Sequence, residues 1–136
     1  MSVRKNITHI RKSGTDREIA TLDGTETLSN KRNTLRVDGT TSHATPTINT
    51  DNVDVYRLTA QAEAITSFTT NLSGTPAEGD MLLIEITGTA ARAITWGTSF
   101  ENSTVTCPTT TVGTAMLQVL FKWNSVTSKW RCIGVV

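Results

Sequence analysis

Apolar and polar positions alternate most regularly near the C-terminal end of the chain. Ala115, Leu117, Val119, Phe121 and Trp123 interleave with Met116, Gln118, Leu120 and Lys122. A period of two puts successive side chains on opposite faces, so residues 115–123 predict a half-buried strand. The polar run 124–128 then turns the chain back into 129–136, which predicts a β-hairpin. Residues 81–87 predict the most apolar strand, with Leu82, Ile84 and Ile86 on one face and Glu85 on the other. Shorter apolar stretches at 53–60, 64–69 and 90–96 predict three more strands. In the first, Val53 and Val55 share one face and Tyr56 and Leu58 the other. Residues 71–80 carry two glycines and a proline among small polar residues and predict a loop.

Residues 1–37 behave differently. Their apolar positions (Val3, Ile7, Ile10, Ile19, Leu22, Leu28, Leu35, Val37) keep neither a 3.6 nor a sustained 2.0 period. Such a segment cannot build its own core and is expected to be an extended arm laid against another protein. The turn-rich stretch 38–46 (DGTTSHATP) is expected to link this arm to a body at 47–136. Several short strands separated by turn signals predict an all-β body, an antiparallel β-sandwich or jelly roll.

Composition supports strands and narrows the chemistry. Threonine fills about one position in five of the 136, and its branched Cβ favours pleated backbone over helix. Charged residues make up only 18%, and the formal charge is +1. The distribution says more: eight of the 13 basic residues but five of the 12 acids lie in the first 40 positions. Arg4, Lys5, Arg11, Lys12 and Arg17, with Ile7 and Ile10 as apolar anchors, are the candidate attachment residues. The interleaved acids and the lack of an aromatic residue in the arm argue against nucleic acid as its partner. The opening MSVRKNITHIRKSG lacks the apolar stretch of roughly 7–15 residues that a secretory leader carries, and no apolar span suits a membrane. The chain is expected to be made in the cytoplasm and to stay there unless a particle carries it out. Cys107 and Cys132 are expected as buried, reduced thiols.

Catalysis needs tunable groups, and few are on offer. His9 and His43 lie in the arm and the linker, away from the body where a water-excluding site could form. The carboxylates of the body (Asp51, Asp54, Glu63, Glu78, Asp80, Glu85, Glu101) fall in loops or at outward alternating positions, so solvated roles are expected. The stretch 51–54 (DNVD) lacks the spacing of a calcium loop. The expectation is a protein without enzymatic activity, cofactor or metal. Trp96, Trp123 and Trp130 could stack on sugar rings, but Trp123 and Trp130 are expected to pair across the hairpin and close the core.

A resemblance adds a context. The segments 44–56 (ATPTINTDNVDVY), 71–76 (NLSGTP), 79–86 (GDMLLIEI) and 91–97 (ARAITWG) resemble a small β-domain of bacteriophage fibre and virion-surface proteins, over residues 35–136. Residues 108–111 (PTTT) and 122–130 (KWNSVTSKW) are similar to its closing strands, and 24–31 (GTETLSNK) to the connector that precedes such domains. The resemblance implies a homotrimer with a β-sandwich head, on the virion surface, docked to the major capsid protein or another virion protein through its N-terminal segment. Since no shaft repeat precedes the head, it implies a capsid decoration or head-fibre subunit. The alternative is a tail-tip module that binds a receptor or host surface glycan through tryptophans or the loop 73–80.

Overall fold

The computed structural model describes residues 9–12, 15–18 and 34–136. The chain divides into two units, Met1–Asn33 and Thr34–Val136. In the first, β1 (His9–Lys12) and β2 (Thr15–Glu18) pair antiparallel, with His9 opposite Glu18. The segment expected as an extended arm therefore contains a short antiparallel strand pair.

The second unit is strand-rich, with no helix among the described residues. Its main sheet has six strands in the order β3 (Val37–Thr40), β5 (Val55–Gln61), β7 (Met81–Gly88), β9 (Leu117–Asn124), β10 (Lys129–Val135) and β8 (Phe100–Glu101). A second, two-stranded sheet joins β4 (Thr47–Asn49) to β6 (Asn71–Ser73). The β9–β10 hairpin forms as expected, with Trp130 opposite Trp123 and Cys132 opposite Phe121. Leu82, Ile84 and Ile86 are completely buried on one face of β7, as their alternation predicts.

The pairing departs from the antiparallel pattern expected. β3–β5, β5–β7, β4–β6 and β8–β10 are parallel. Parallel neighbours cannot be joined by a tight hairpin and need a long crossover. Here the crossover from β3 to β5 carries β4, the crossover from β5 to β7 carries β6, and these two strands pair with each other. The chain thus winds past the same positions twice. Ile48 lies beside Leu72, Tyr56 beside Ile84, Leu58 beside Ile86, and Ile65 bridges to Ile94. Two expected strands, 64–69 and 90–96, are reduced to bridges at Ile65, Ala93 and Ile94, held by Ile65 N–H donating to the Ala93 carbonyl at 2.9 Å.

This stacking places like residues over like. The tripeptide Ala-Ile-Thr occurs at 64–66 and again at 93–95, and the aromatic that follows each, Phe68 and Trp96, stacks with its counterpart at 4.7 Å and 15°. Phe100 and Phe121 complete a four-ring cluster, 4.9 Å apart edge to face. Both sheets bury side chains in one core, which holds Ile48 from β4, Tyr56 and Leu58 from β5, and Leu117, Val119 and Phe121 from β9.

Residues 38–46, expected as a linker, belong to this body. Asp38 and Gly39 pair with Tyr56 and Arg57 in the sheet. Gly39 reads as a turn residue in sequence, yet it serves close approach: a Cβ there would collide with the Arg57 carbonyl. His43 and Ala44 are tied to the body as well, through Gln61 and Thr66. Even Arg36, assigned to the arm by its sequence, pairs with Asp54 at 2.6 Å.

Candidate functional site

Two surfaces of the body carry features that the core does not require. The first is the outward face of the main sheet. Register aligns Val37, Val55, Leu83 and Leu120 in one row across four strands, opposite to the face that buries Tyr56, Ile84 and Val119. Val37 is 51% exposed, Leu83 and Leu120 are partly exposed, and Val55 between them is buried at 4%; Met81, beside the row on β7, is 44% exposed. Such a row is more apolar than a solvated sheet face needs to be.

Three of the charged residues on this face, Arg57, Lys122 and Arg131, have a partner within their own chain. Glu85, expected to be a solvated outward carboxylate, is 7% exposed, accepts from Arg57 Nε at 2.5 Å and from Gln118 Nε2 at 2.9 Å, and its carboxyl is held below the usual range chiefly by the Arg57 bond. Lys122 meets Glu78 at 3.1 Å and Arg131 meets Glu101 at 2.8 Å. Covering these three would not strand a charge, and stranding one is the main penalty of burying a polar surface.

The second surface is a groove at the hairpin end of the body, about 160 Å³ in volume. Trp123 and Trp130 form one wall, edge to face at 5.3 Å and 64°. They do pair across the hairpin, and Trp130 is buried, but Trp123 is only partly covered. Leu72 and Pro76 add aliphatic lining, and the hydroxyl-bearing residues Thr50, Ser73, Ser99 and Ser128 line it as well. Thr50 Oγ1 donates to the Ser73 carbonyl at 3.1 Å. Gly74 has φ +119°, and any Cβ on it would strike Thr50 Oγ1, so this corner admits only glycine. A smaller notch of about 100 Å³ lies beside Trp123 and contains Glu78, Lys122 and Arg131.

Two glutamates clamp the turn that presents these residues. Glu78 accepts from Ser125 N–H at 2.9 Å as well as from Lys122, and its carboxyl falls from 4.5 to about 2, with the backbone bond the largest cause. Glu101 accepts from Asn124 Nδ2 at 3.0 Å, Thr127 Oγ1 at 3.0 Å and Arg131 Nε at 2.8 Å, which lowers its carboxyl too. A depressed carboxylate stabilises the fold above its unfolded value, and the contribution is lost as pH falls through its folded value. The turn 124–128 is therefore expected to stay clamped above about pH 5 and to loosen between 4.5 and about 2. Amide exchange of residues 124–128 followed from pH 6 to pH 2 checks this, and protection that is flat across the range would contradict it.

The remaining candidates for chemistry have structural duties. Asp51 Oδ1 accepts from Thr75 N–H at 2.7 Å and Asp54 accepts from Arg36, so both acids of the 51–54 stretch lock neighbouring turns. The Asp54 carboxyl falls to about 2, first through the Arg36 side chain. His43 Nδ1 accepts from Thr45 N–H at 3.0 Å. Cys107 and Cys132 are free and buried, and burial pushes the Cys107 thiol up to about 12. Among the described residues no three His, Cys, Asp or Glu side chains gather as a metal site, and no helix is long and apolar enough to cross a membrane.

Of the candidate attachment residues, Arg4, Lys5 and Ile7 lie outside the described residues. Ile10, Arg11 and Lys12 fall on β1 and Arg17 on β2, with Ile10 opposite Arg17. The outward row escaped sequence reading because Val37 was assigned to the arm and Leu120 to the polar half of its strand; the signal was the pair Leu82-Leu83, which puts leucine on both faces of β7. Comparison of the chain with protein-family models, curated proteins and solved structures found no match.

Proposed function

We propose that this chain is a non-enzymatic structural protein of a bacteriophage particle, a homotrimeric capsid decoration or head-fibre subunit. In this reading the basic N-terminal residues attach it to the major capsid protein or another virion protein, and the body projects from the virion surface. The observation that carries it is the outward face of the main sheet, where Val37, Leu83 and Leu120 are at least partly exposed in register with the buried Val55, and where Arg57, Lys122 and Arg131 are internally paired. A face that is apolar and already neutralised suits a cover of the same kind, which a second and third copy of the chain supply. The six-stranded sheet and the β4–β6 pair, which share one core, are read here as unequal walls of a sandwich-like head. A jelly roll would need antiparallel ladders where β3–β5, β5–β7 and β4–β6 run parallel.

Attachment is tested by deleting residues 1–33 and mixing the product with particles that lack the protein. The shortened chain is expected to remain folded and soluble and to stay off the particle. Binding at the affinity of the full chain would overturn the role given to the N-terminal segment. The second reading, a tail-tip receptor or glycan-binding module, draws on one specific observation, the partly open tryptophan groove beside loop 73–80.

A further inference from the structure

We infer that the groove beneath Trp123 binds a single ring of a neutral saccharide. The inference deepens the recognition reading above, and it is independent of whether the chain forms a trimer or joins a particle.

The groove's lining carries no ionisable side chain, although charged residues stand just beyond Trp123 in the neighbouring notch. An anionic ligand would find no counter-charge there, and a cationic one no carboxylate. What the groove offers is indole and aliphatic surface beside hydroxyls, within about 160 Å³. A pyranose ring presents the complementary pair, an apolar face of C–H groups and a rim of hydroxyls that both donate and accept. Binding sites for small molecules combine apolar walls with a few placed polar groups in this way.

The second observation concerns Ser128. It is the non-glycine residue of the body with a left-handed backbone, φ 52°, among the described residues. The last position of a hairpin turn with that conformation is ordinarily filled by glycine, which adopts it without steric cost. Serine there costs stability, and the residue lines the groove. Strain kept at a ligand-facing position is accounted for when the side chain is used. The turn that carries it is also held: Glu78 accepts from Ser125 N–H and Glu101 from Thr127 Oγ1, so the backbone that presents Ser128 is set before any ligand arrives. A rigid, shallow site of this size gives weak affinity for one ring and gains strength from repetition on a multivalent surface.

The test uses the soluble full-length protein and a panel of methyl glycosides of neutral hexoses and N-acetylhexosamines, read by saturation-transfer NMR and by tryptophan emission. At least one glycoside is expected to saturate with a Kd on the order of 1 mM. Trp123→Ala should abolish that binding. Ser128→Gly should weaken it about fivefold or more while the unfolding midpoint stays equal or rises, which separates a ligand role from a structural one. The inference is overturned if no neutral glycoside saturates, if Ser128→Gly binds as the parent does, or if only acidic sugars or unglycosylated peptides occupy the groove. The mass of the protein measured in the same sample keeps the two proposals apart, since a trimer that binds no glycoside contradicts only this one.

Discussion

Phe121→Ala is expected to lower the stability of the body by about 3–5 kcal/mol, the cost of removing a fully buried aromatic ring and leaving its space unfilled. Phe121 has no exposed surface, and its ring sits 5.0 Å from Trp96 and 4.9 Å from Phe100. Its register neighbours are Leu82 on β7 and Cys132 on β10, so the cavity would open at the centre of the main sheet. Edge-to-face ring pairs add about 0.5–1.5 kcal/mol each beyond burial. Set against a total stability of roughly 5–15 kcal/mol for a domain, this one change consumes a large share. Denaturant unfolding followed by tryptophan emission checks it. A loss below about 1 kcal/mol would mean that the four-ring cluster is not the centre of the core.

Gln61→Leu is expected to cost as much through a different mechanism. Gln61 is completely buried, and its amide satisfies three backbone groups. Oε1 accepts from His43 N–H at 3.0 Å, and Nε2 donates to the His43 carbonyl at 3.1 Å and the Glu63 carbonyl at 2.9 Å. Leucine fills similar space but leaves all three without a partner. At about 1–3 kcal/mol for each stranded group, with partial relief from local adjustment, the loss should be about 3 kcal/mol or more. The damage should also be local: exchange protection should fall first around residues 41–45 and 61–66, where the first crossover is tied to the end of β5. Denaturant unfolding together with site-resolved amide exchange measures both. An unchanged midpoint would show that water or rearranged backbone replaces the amide at no cost.

Gln61 also shows what the sequence could convey. Its position at the end of an alternating strand is readable; its role as the anchor of a stretch expected to be a linker is not. The DGTTSHATP segment has the composition of a loop, and only the partner across the chain reveals that Gly39 lies flat against Arg57 and that His43 is pinned by Gln61. β7 and the β9–β10 hairpin were legible because period-two alternation depends on local burial alone. Parallel pairing was not, because alternation fixes which side chains face inward and leaves open which strand lies beside which. A signal for it did exist. Ala-Ile-Thr followed by an aromatic occurs at 64–68 and 93–96, an internal repeat that predicts two passes of the chain past the same place.

The candidate surfaces divide in the same way. Trp123 and Trp130 were readable as a cross-strand pair, but the groove beside them needs Thr50 and Ser99 from distant turns and Ser73 from the end of β6, which only the stacked winding brings together. The sequence places the carboxylates in loops or on outward faces; Glu78 does stay about half-exposed, Glu85 is buried, and Glu78, Glu85 and Glu101 each also tie strands or turns together. That commitment leaves the exposed apolar residues on the outward face of the main sheet, Val37, Leu83 and Leu120 among them, without an internal explanation.

The central claim is that copies of this chain cover that face. The direct measurement is the native mass of the full-length protein beside its Leu83→Arg, Leu120→Arg double variant, with far-ultraviolet circular dichroism to verify the fold. Both side chains lie outward and adjacent in register, so arginine at each should be tolerated by an isolated body and expelled from a covered face. The account predicts three copies for the parent and one folded copy for the variant. A parent chain that stays a single copy at every concentration, with its sheet intact, would contradict it.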